Sequence, residues 1–231
     1  MPAAVSDNLR AVAVLAACCL VAACSGMSTS SSTTRKTATT HAAAEPKPKP
    51  EPKPQPKPTP APGSLPQTHQ LPSGHTPAFR AEMASLWRGI VENSARAALP
   101  AFFPEPAYVQ LKAVADPGGD YRNRLVAGYR LDIAAAHALV SSSDRLLAVA
   151  VPTGYAHWVP PGVCDNRIGY WEVPNARVVY MGGAGTRSFG IASMISWRGV
   201  WYVVHLGSVL QPGSVDDPSA GAGASAPSST C

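Results

Sequence analysis

The chain has 231 residues and carries 19 Lys and Arg against 14 Asp and Glu, a formal net charge of +5. The excess is uneven: residues 25–75 hold six basic and two acidic side chains, whereas residues 76–231 hold twelve and eleven. A nucleic-acid binder needs its basic patch on the folded part, so the near-neutral balance there excludes that class. About 140 residues remain for a core, close to the commonest single-domain size.

Residues 1–10 are polar and end in Arg10, and Ala11 to Ala23 follow as an uncharged apolar run. That is the layout of a secretory signal, too short for a transmembrane helix of about 20 apolar residues. The run closes on Leu20-Val21-Ala22-Ala23-Cys24, which resembles the bacterial lipobox. Small side chains let an extended backbone enter a narrow peptidase site, and only a thiol takes a diacylglyceryl thioether. The resemblance implies diacylglycerol on Cys24, cleavage before it, and N-acylation (palmitate or a similar chain) afterwards. Leu15-Ala16-Ala17-Cys18 is a second match, but it leaves a shorter apolar segment and strands the rest downstream. Cleavage by the ordinary signal peptidase is the alternative.

Ser25 to His75 shows no apolar periodicity. Residues 28–40 are mostly Ser and Thr, and proline then stands at every second position from Pro46 to Pro62. Alternating prolines remove donors and fix φ, favouring polyproline II. At about 3.1 Å per residue, 46–62 reaches roughly 50 Å. The expected organisation is a signal peptide over 1–23, a disordered linker over 24–75, a globular domain over 76–211 and a flexible tail over 212–231.

Pro77 to Ala98 reads as a helix, because Phe79, Met83, Leu86, Trp87, Ile90 and Val91 form one stripe. Thr76 is its N-cap, with proline at the first helical position. A short helix is expected over 107–115, a turn at Asp116-Pro-Gly-Gly-Asp120, and a second long helix over 121–140. Strands follow over 146–151, 167–173, 177–181, 186–197 and 200–206, with 152–165 a loop and Pro174-Asn175 a turn. The two-residue loop Arg198-Gly199 would pair Trp197 with Val200, Ile195 with Tyr202, and Ala192 with His205. Small residues at Gly190 and Ala192 either seat a helix or open a cavity rimmed by Trp201 and His205. Helices first and an antiparallel meander after make an α+β domain, helices packed on a curved four-to-five-stranded sheet.

This order of elements, closing in Ser196-Trp-Arg-Gly-Val-Trp-Tyr-Val-Val-His-Leu206, resembles the cystatin-like/NTF2-like superfamily. Residues 86–207 also resemble a family of uncharacterised actinobacterial lipoproteins, in Arg167-Ile-Gly-Tyr-Trp171 and Ser188-Phe-Gly-Ile-Ala192. Neither resemblance carries an activity, since such folds host enzymes, binding modules and dimerisation domains alike.

Motif chemistry is sparse. Gly183-Ala-Gly185 meets Ser188 where a third glycine would stand, and no G-x-S-x-G or H-E-x-x-H occurs. His137, His157 and His205 lack ligand spacing, so no metal and no cofactor is expected. His205 with Asp132 is the one acid/base pair that an NTF2-like enzyme would use. Cys164 and Cys231 alone follow the anchor, and an oxidising compartment would let them form a disulfide, two free thiols being the alternative. The expectation is a non-catalytic binding or scaffolding lipoprotein on the extracytoplasmic face of the cell membrane. Its partners would be the lipid membrane through Cys24 and cell-wall polymers or envelope proteins. An NTF2-like hydrolase or isomerase, and an assembly protein forming a homodimer, are the alternatives.

Overall fold

A computed structural model of the chain describes residues 59–207 together with 213 and 215. Cys24, Cys231 and most of the expected linker and tail lie outside the described residues. The architecture is α+β, as the order of patterns predicted, with one open antiparallel sheet of five strands.

Helix α1 (Pro77–Val91) begins where the Thr76 hydroxyl accepts the Phe79 N–H at 3.1 Å, with Pro77 in the first turn. It buries Phe79, Met83, Leu86 and Ile90, the expected stripe. Burial is worth roughly 1.5–3 kcal/mol for each such side chain. The expected continuation to Ala98 fails at Asn93, whose φ of 50° is left-handed. Ser94 then caps a separate turn, α2 (Ala95–Ala98). Gly89 makes the fold-back fit, since a Cβ there would meet the Ala98 Cβ at 2.5 Å.

The helix expected over 107–115 is α3 (Glu105–Leu111). It ends early because Lys112 leaves it to pair with Asn166 as an isolated antiparallel bridge. The expected turn after it is helical: Asp116 caps α4 (Pro117–Asp120) by accepting the Gly119 N–H at 2.8 Å. The chain runs through a wide π turn, Tyr121–Leu125, into α5 (Val126–His137).

Strands β1 (Arg145–Ala150), β2 (His157–Val159), β3 (Tyr170–Gly182), β4 (Gly185–Trp197) and β5 (Val200–His205) lie in the order β1-β3-β4-β5. Both β1 and β2 pair with the outer edge of β3, β2 with residues 170–172 and β1 with 177–181. β2 falls inside the segment expected to be a loop. The Pro174-Asn175 turn does not form either; β3 runs straight through it. Residues 173–176 face the gap between β2 and β1, so the missing proline donor lies on an open stretch of edge.

The hairpin β4–β5 has the expected register from Trp197↔Val200 to Met194↔Val203, and then a bulge places His205 opposite Ser193 rather than Ala192. One extra residue re-aims the strand, which decides where His205 points. The outer edge of β5 is covered in part by Phe102 and Phe103; the Phe103 N–H donates to the Val203 carbonyl at 3.0 Å.

The expected boundary at residue 75 is corrected: the segment before it is docked on the domain. Gln110 Nε2 donates to the Gly63 carbonyl (2.7 Å), Trp197 Nε1 to the Leu65 carbonyl (3.1 Å) and Gln67 Nε2 to the Ser196 carbonyl (2.8 Å). Further on, Trp171 Nε1 donates to the His69 carbonyl at 3.0 Å, while the His69 ring sits 4.0 Å from that of Trp158. Lacking apolar periodicity, this strap is held by backbone carbonyls meeting side-chain donors, a pattern hydropathy does not reveal.

Candidate functional site

The β3–β4 ladder sets side chains of one face in phase. Tyr170 and Glu172 of β3 share a face with Ile195 and Ser193 of β4, and Tyr202 of β5 is opposite Ile195. Because of the bulge, Val204 and His205 both join this face. With α3, the π turn and the 162–166 loop they line a cavity of about 330 Å³. That size is in the range of small-molecule sites.

Its apolar wall is Phe103, Leu111, Leu125, Ile195 and Val204. The polar wall starts at the loop. Gly162, Cys164 and Asp165 have φ of 84°, 58° and 55°, and the Asn166 N–H closes the turn onto the Val163 carbonyl at 3.1 Å. Left-handed geometry at Cys164 and Asp165 is strain of the kind the fold retains where it positions a group. The group positioned is Asn166, 2% exposed, whose Nδ2 donates to the Val163 carbonyl at 2.7 Å. Its Oδ1 is buried with no hydrogen-bond partner among the described residues.

Opposite Asn166 in the bridge is Lys112, whose Nζ donates to the Cys164 carbonyl at 2.8 Å. Burial, reinforced by the nearby Arg124 charge, pushes the Lys112 ammonium below its ordinary pKa. Arg124 is already committed, with two 2.7 Å bonds to the Asp120 carboxylate and a third to the Tyr108 hydroxyl. The Tyr108 hydroxyl in turn bonds Asp120, whose pKa the Arg124 hydrogen bond holds down. Across the cavity Glu172, 5% exposed, accepts from Ser193 Oγ at 3.1 Å, and His157 Nε2 lies 3.9 Å from its other oxygen.

His205 lines this cavity, but not with the rim expected from sequence. Trp201 is fully buried, and its partner across the ladder, Ser196, lies on the opposite face. The pair of His205 with Asp132 is also corrected. Asp132, 1% exposed, is not in the cavity wall; its carboxylate accepts the backbone N–H groups of Leu206 (3.1 Å), Gly207 (3.3 Å) and Gly213 (2.7 Å). It ties down the chain leaving β5, and its charge reaches His205 only through space. Burial lowers the His205 pKa, Asp132 opposes that, and Arg124 and Lys112 add to it, so the imidazole is neutral at pH 7.

Cys164 sits in the cavity wall, while its expected partner Cys231 lies outside the described residues. Among the described residues no group of three or more His, Cys, Asp or Glu could hold a metal ion. No helix among them is long and apolar enough to cross a membrane.

Lys112, Arg124, Asn166, Glu172 and Ser193 were not singled out from sequence. Glu172 had a signal: it alternates in phase with Tyr170 in an otherwise apolar strand. Asn166 had none, since its neighbour Lys112 is 54 positions away. Comparison with protein-family models, curated proteins and solved structures finds none that the chain matches.

Proposed function

We propose that this is a lipoprotein of the cell envelope, anchored through a diacylglyceryl group on Cys24, whose domain binds a small molecule without transforming it. The domain is read as a cystatin-like/NTF2-like cone. The cavity is the observation that carries the binding part: it joins an apolar wall, a half-buried cation at Lys112 and polar groups from the 164–166 loop and from β3 and β4. The anchor rests on Val21-Ala22-Ala23-Cys24 following an apolar run. A disulfide from Cys164 to Cys231 belongs to the same reading and would hold the tail beside the cavity.

Native mass spectrometry on protein extracted from its own envelope tests both parts. The expected spectrum shows a diacylated N-terminal Cys24 and a small adduct retained by the wild type and lost in Ser193→Trp. An unmodified Cys24 at the mature N-terminus overturns the anchor. An adduct retained in Ser193→Trp, or no adduct at all, overturns the binding cavity.

A second reading has one observation in its favour: Glu172 and His205 line the same cavity, a carboxylate and a neutral imidazole. An NTF2-like hydrolase or isomerase would use them as acid and base. Turnover of the released adduct by the wild type, abolished in Glu172→Gln and His205→Asn, would replace binding by catalysis.

A further inference from the structure

Arg177 is buried where its ladder neighbours cannot bury it: it is 2% exposed. On β3 it alternates with Val178 and Tyr180, and the Tyr180 ring packs against Trp87 of α1. Arg177 therefore leaves the sheet on the face away from α1. Its cross-strand neighbours there are Ala150 of β1 and Gly190 of β4, both too small to cover a guanidinium. Further along the same face Met181 is 38% exposed. Some other segment lies over Arg177.

A fully buried arginine calls for an acid beside it. Arg177 Nη2 donates to the neutral Ser188 Oγ at 3.1 Å, and Arg177 has a further partner. The ion pairs among the described residues join Arg122 to Glu105, Arg124 to Asp120 and His157 to Glu172, which puts the acid for Arg177 outside them. Ser188, Asn175, Glu172, His157 and Cys164 have further partners as well. With Arg177 they form one track along β3. It runs from Ser188, opposite Val179, past Asn175 to Glu172, opposite His157, and on to the Cys164 loop, whose Asn166 meets Tyr170.

We propose that the tail after Val215 lies on this track, with Asp216 and Asp217 on the Arg177 guanidinium. Charge selects it: residues 208–231 carry these two acids and no Lys or Arg, whereas Glu45 and Glu51 stand among Lys47, Lys49 and Lys53. Val215 packs against the core and Gly213 is tied to Asp132, so the aspartates follow directly from a fixed point. Length allows it too. The Leu206 carbonyl accepts from Ala192, which lies across from Asn175. The end of β5 is then about 12 Å from Arg177, two strand spacings across and two residues along. The chain from Gly207 to Asp216 reaches up to about 30 Å. From Asp217 to Cys231 it reaches up to about 46 Å, twice the roughly 23 Å of β3 from Arg177 back to Tyr170. The disulfide from Cys164 to Cys231 would close the same track; that far end rests on the disulfide already proposed, and the aspartate contact does not.

Zero-length cross-linking of the full chain tests the contact. In Arg177→Lys a carbodiimide joins the introduced amine to a touching carboxylate as an amide, and peptide mass spectrometry identifies that carboxylate. Asp216 or Asp217 is expected. A link to any other carboxylate, Glu45 and Glu51 included, or no link at all, overturns the proposal. A second measurement leaves Arg177 in place. In Asp216→Asn/Asp217→Asn, amide exchange over 213–217 accelerates at least about tenfold relative to wild type, as expected when a docked segment is released. Glu45→Gln/Glu51→Gln leaves it unchanged. Equal exchange in the wild type and the tail variant overturns the contact. Alkylation of both Cys164 and Cys231 in the unreduced chain overturns the disulfide and the far end of the track, and the cross-link still decides the aspartates.

Discussion

The two ends of the β3–β4 ladder are built from the same strands and solve opposite problems. Towards the hairpin, Val178 faces Phe189, and the Tyr180 ring packs 5.4 Å from Trp87 and 5.9 Å from Phe189. Its polar groups are bonded within the fold: the Tyr180 hydroxyl donates to the Leu139 carbonyl and Arg177 Nη2 to Ser188 Oγ, each at 3.1 Å. Six to eight residues back along β3, Glu172 with Ser193 and Ile195 of β4 borders open space, and Asn166 Oδ1 has no hydrogen-bond partner among the described residues. The first end is filled and the second is not. Sites are found where a fold leaves its own rules unmet, so the comparison separates what stabilises this domain from what serves it.

Truncation breaks the comparison most severely at the filled end. Phe189→Ala should cost about 3–5 kcal/mol, transfer loss plus a closed void, whereas Ile195→Ala should cost about 2, because it only widens an existing space. Equilibrium denaturation in urea of both variants measures the difference; equal losses would show that the cavity collapses in solution.

Where the chain leaves β5, beside the open end, hydrogen bonds to one carboxylate take the place of packing. Asp132 accepts three backbone N–H groups where the chain leaves β5. Asp132→Ala should therefore cost about 2–4 kcal/mol despite removing little apolar surface. Amide exchange should accelerate at Leu206 and Gly207 while Val178 and Tyr180 stay protected.

Glu82 on α1 sharpens the contrast by pH. Its Oε2 is buried without a partner among the described residues, and burial raises its pKa from 4.5 to about 8. Between those values the folded state holds a proton that the unfolded state has released, so stability falls as pH rises through that window. Glu82→Gln should remove this slope and stabilise the protein by about 1–2 kcal/mol at pH 8, with no difference near pH 4. Melting temperatures of both proteins from pH 4 to 9 read it directly.

The smallest effect is expected at Lys112. Lys112→Met keeps the stem and deletes an ammonium that burial already disfavours, so stability should move by no more than about 0.5 kcal/mol. A thermal melt showing a larger loss would make Lys112 a structural residue and undercut its place as a ligand contact.

Legibility in the sequence followed the range of the interactions. The stripe of α1 and the hairpin around Arg198-Gly199 were readable because period and turn chemistry are local. Pro174-Asn175 misled, since a proline forbids a paired strand only where its donor would face a partner, and β1 and β2 leave that stretch bare. His205 was assigned to the wrong face because a bulge shifts register by one residue without a residue type that announces it. The site stayed hidden for the same reason: Lys112 and Asn166 meet through one isolated bridge, and the buried acid that lines the cavity with His205 is Glu172, not the helical Asp132. The strap was read as linker because its attachment uses carbonyls, which every residue has.

That strap determines where load enters the domain. A pull arriving along the chain from its N-terminal side reaches Gly63 first, which lies against Pro104 and Ala107 and accepts from Gln110 of α3. It is next resisted at Leu65 by Trp197, at Gln67 by Ser196 and at His69 by Trp171, and only afterwards at α1. The staples release one after another, like a zip, at forces well below those that shear a sheet. Each one lengthens the reach of the domain by a few residues while the cavity stays intact.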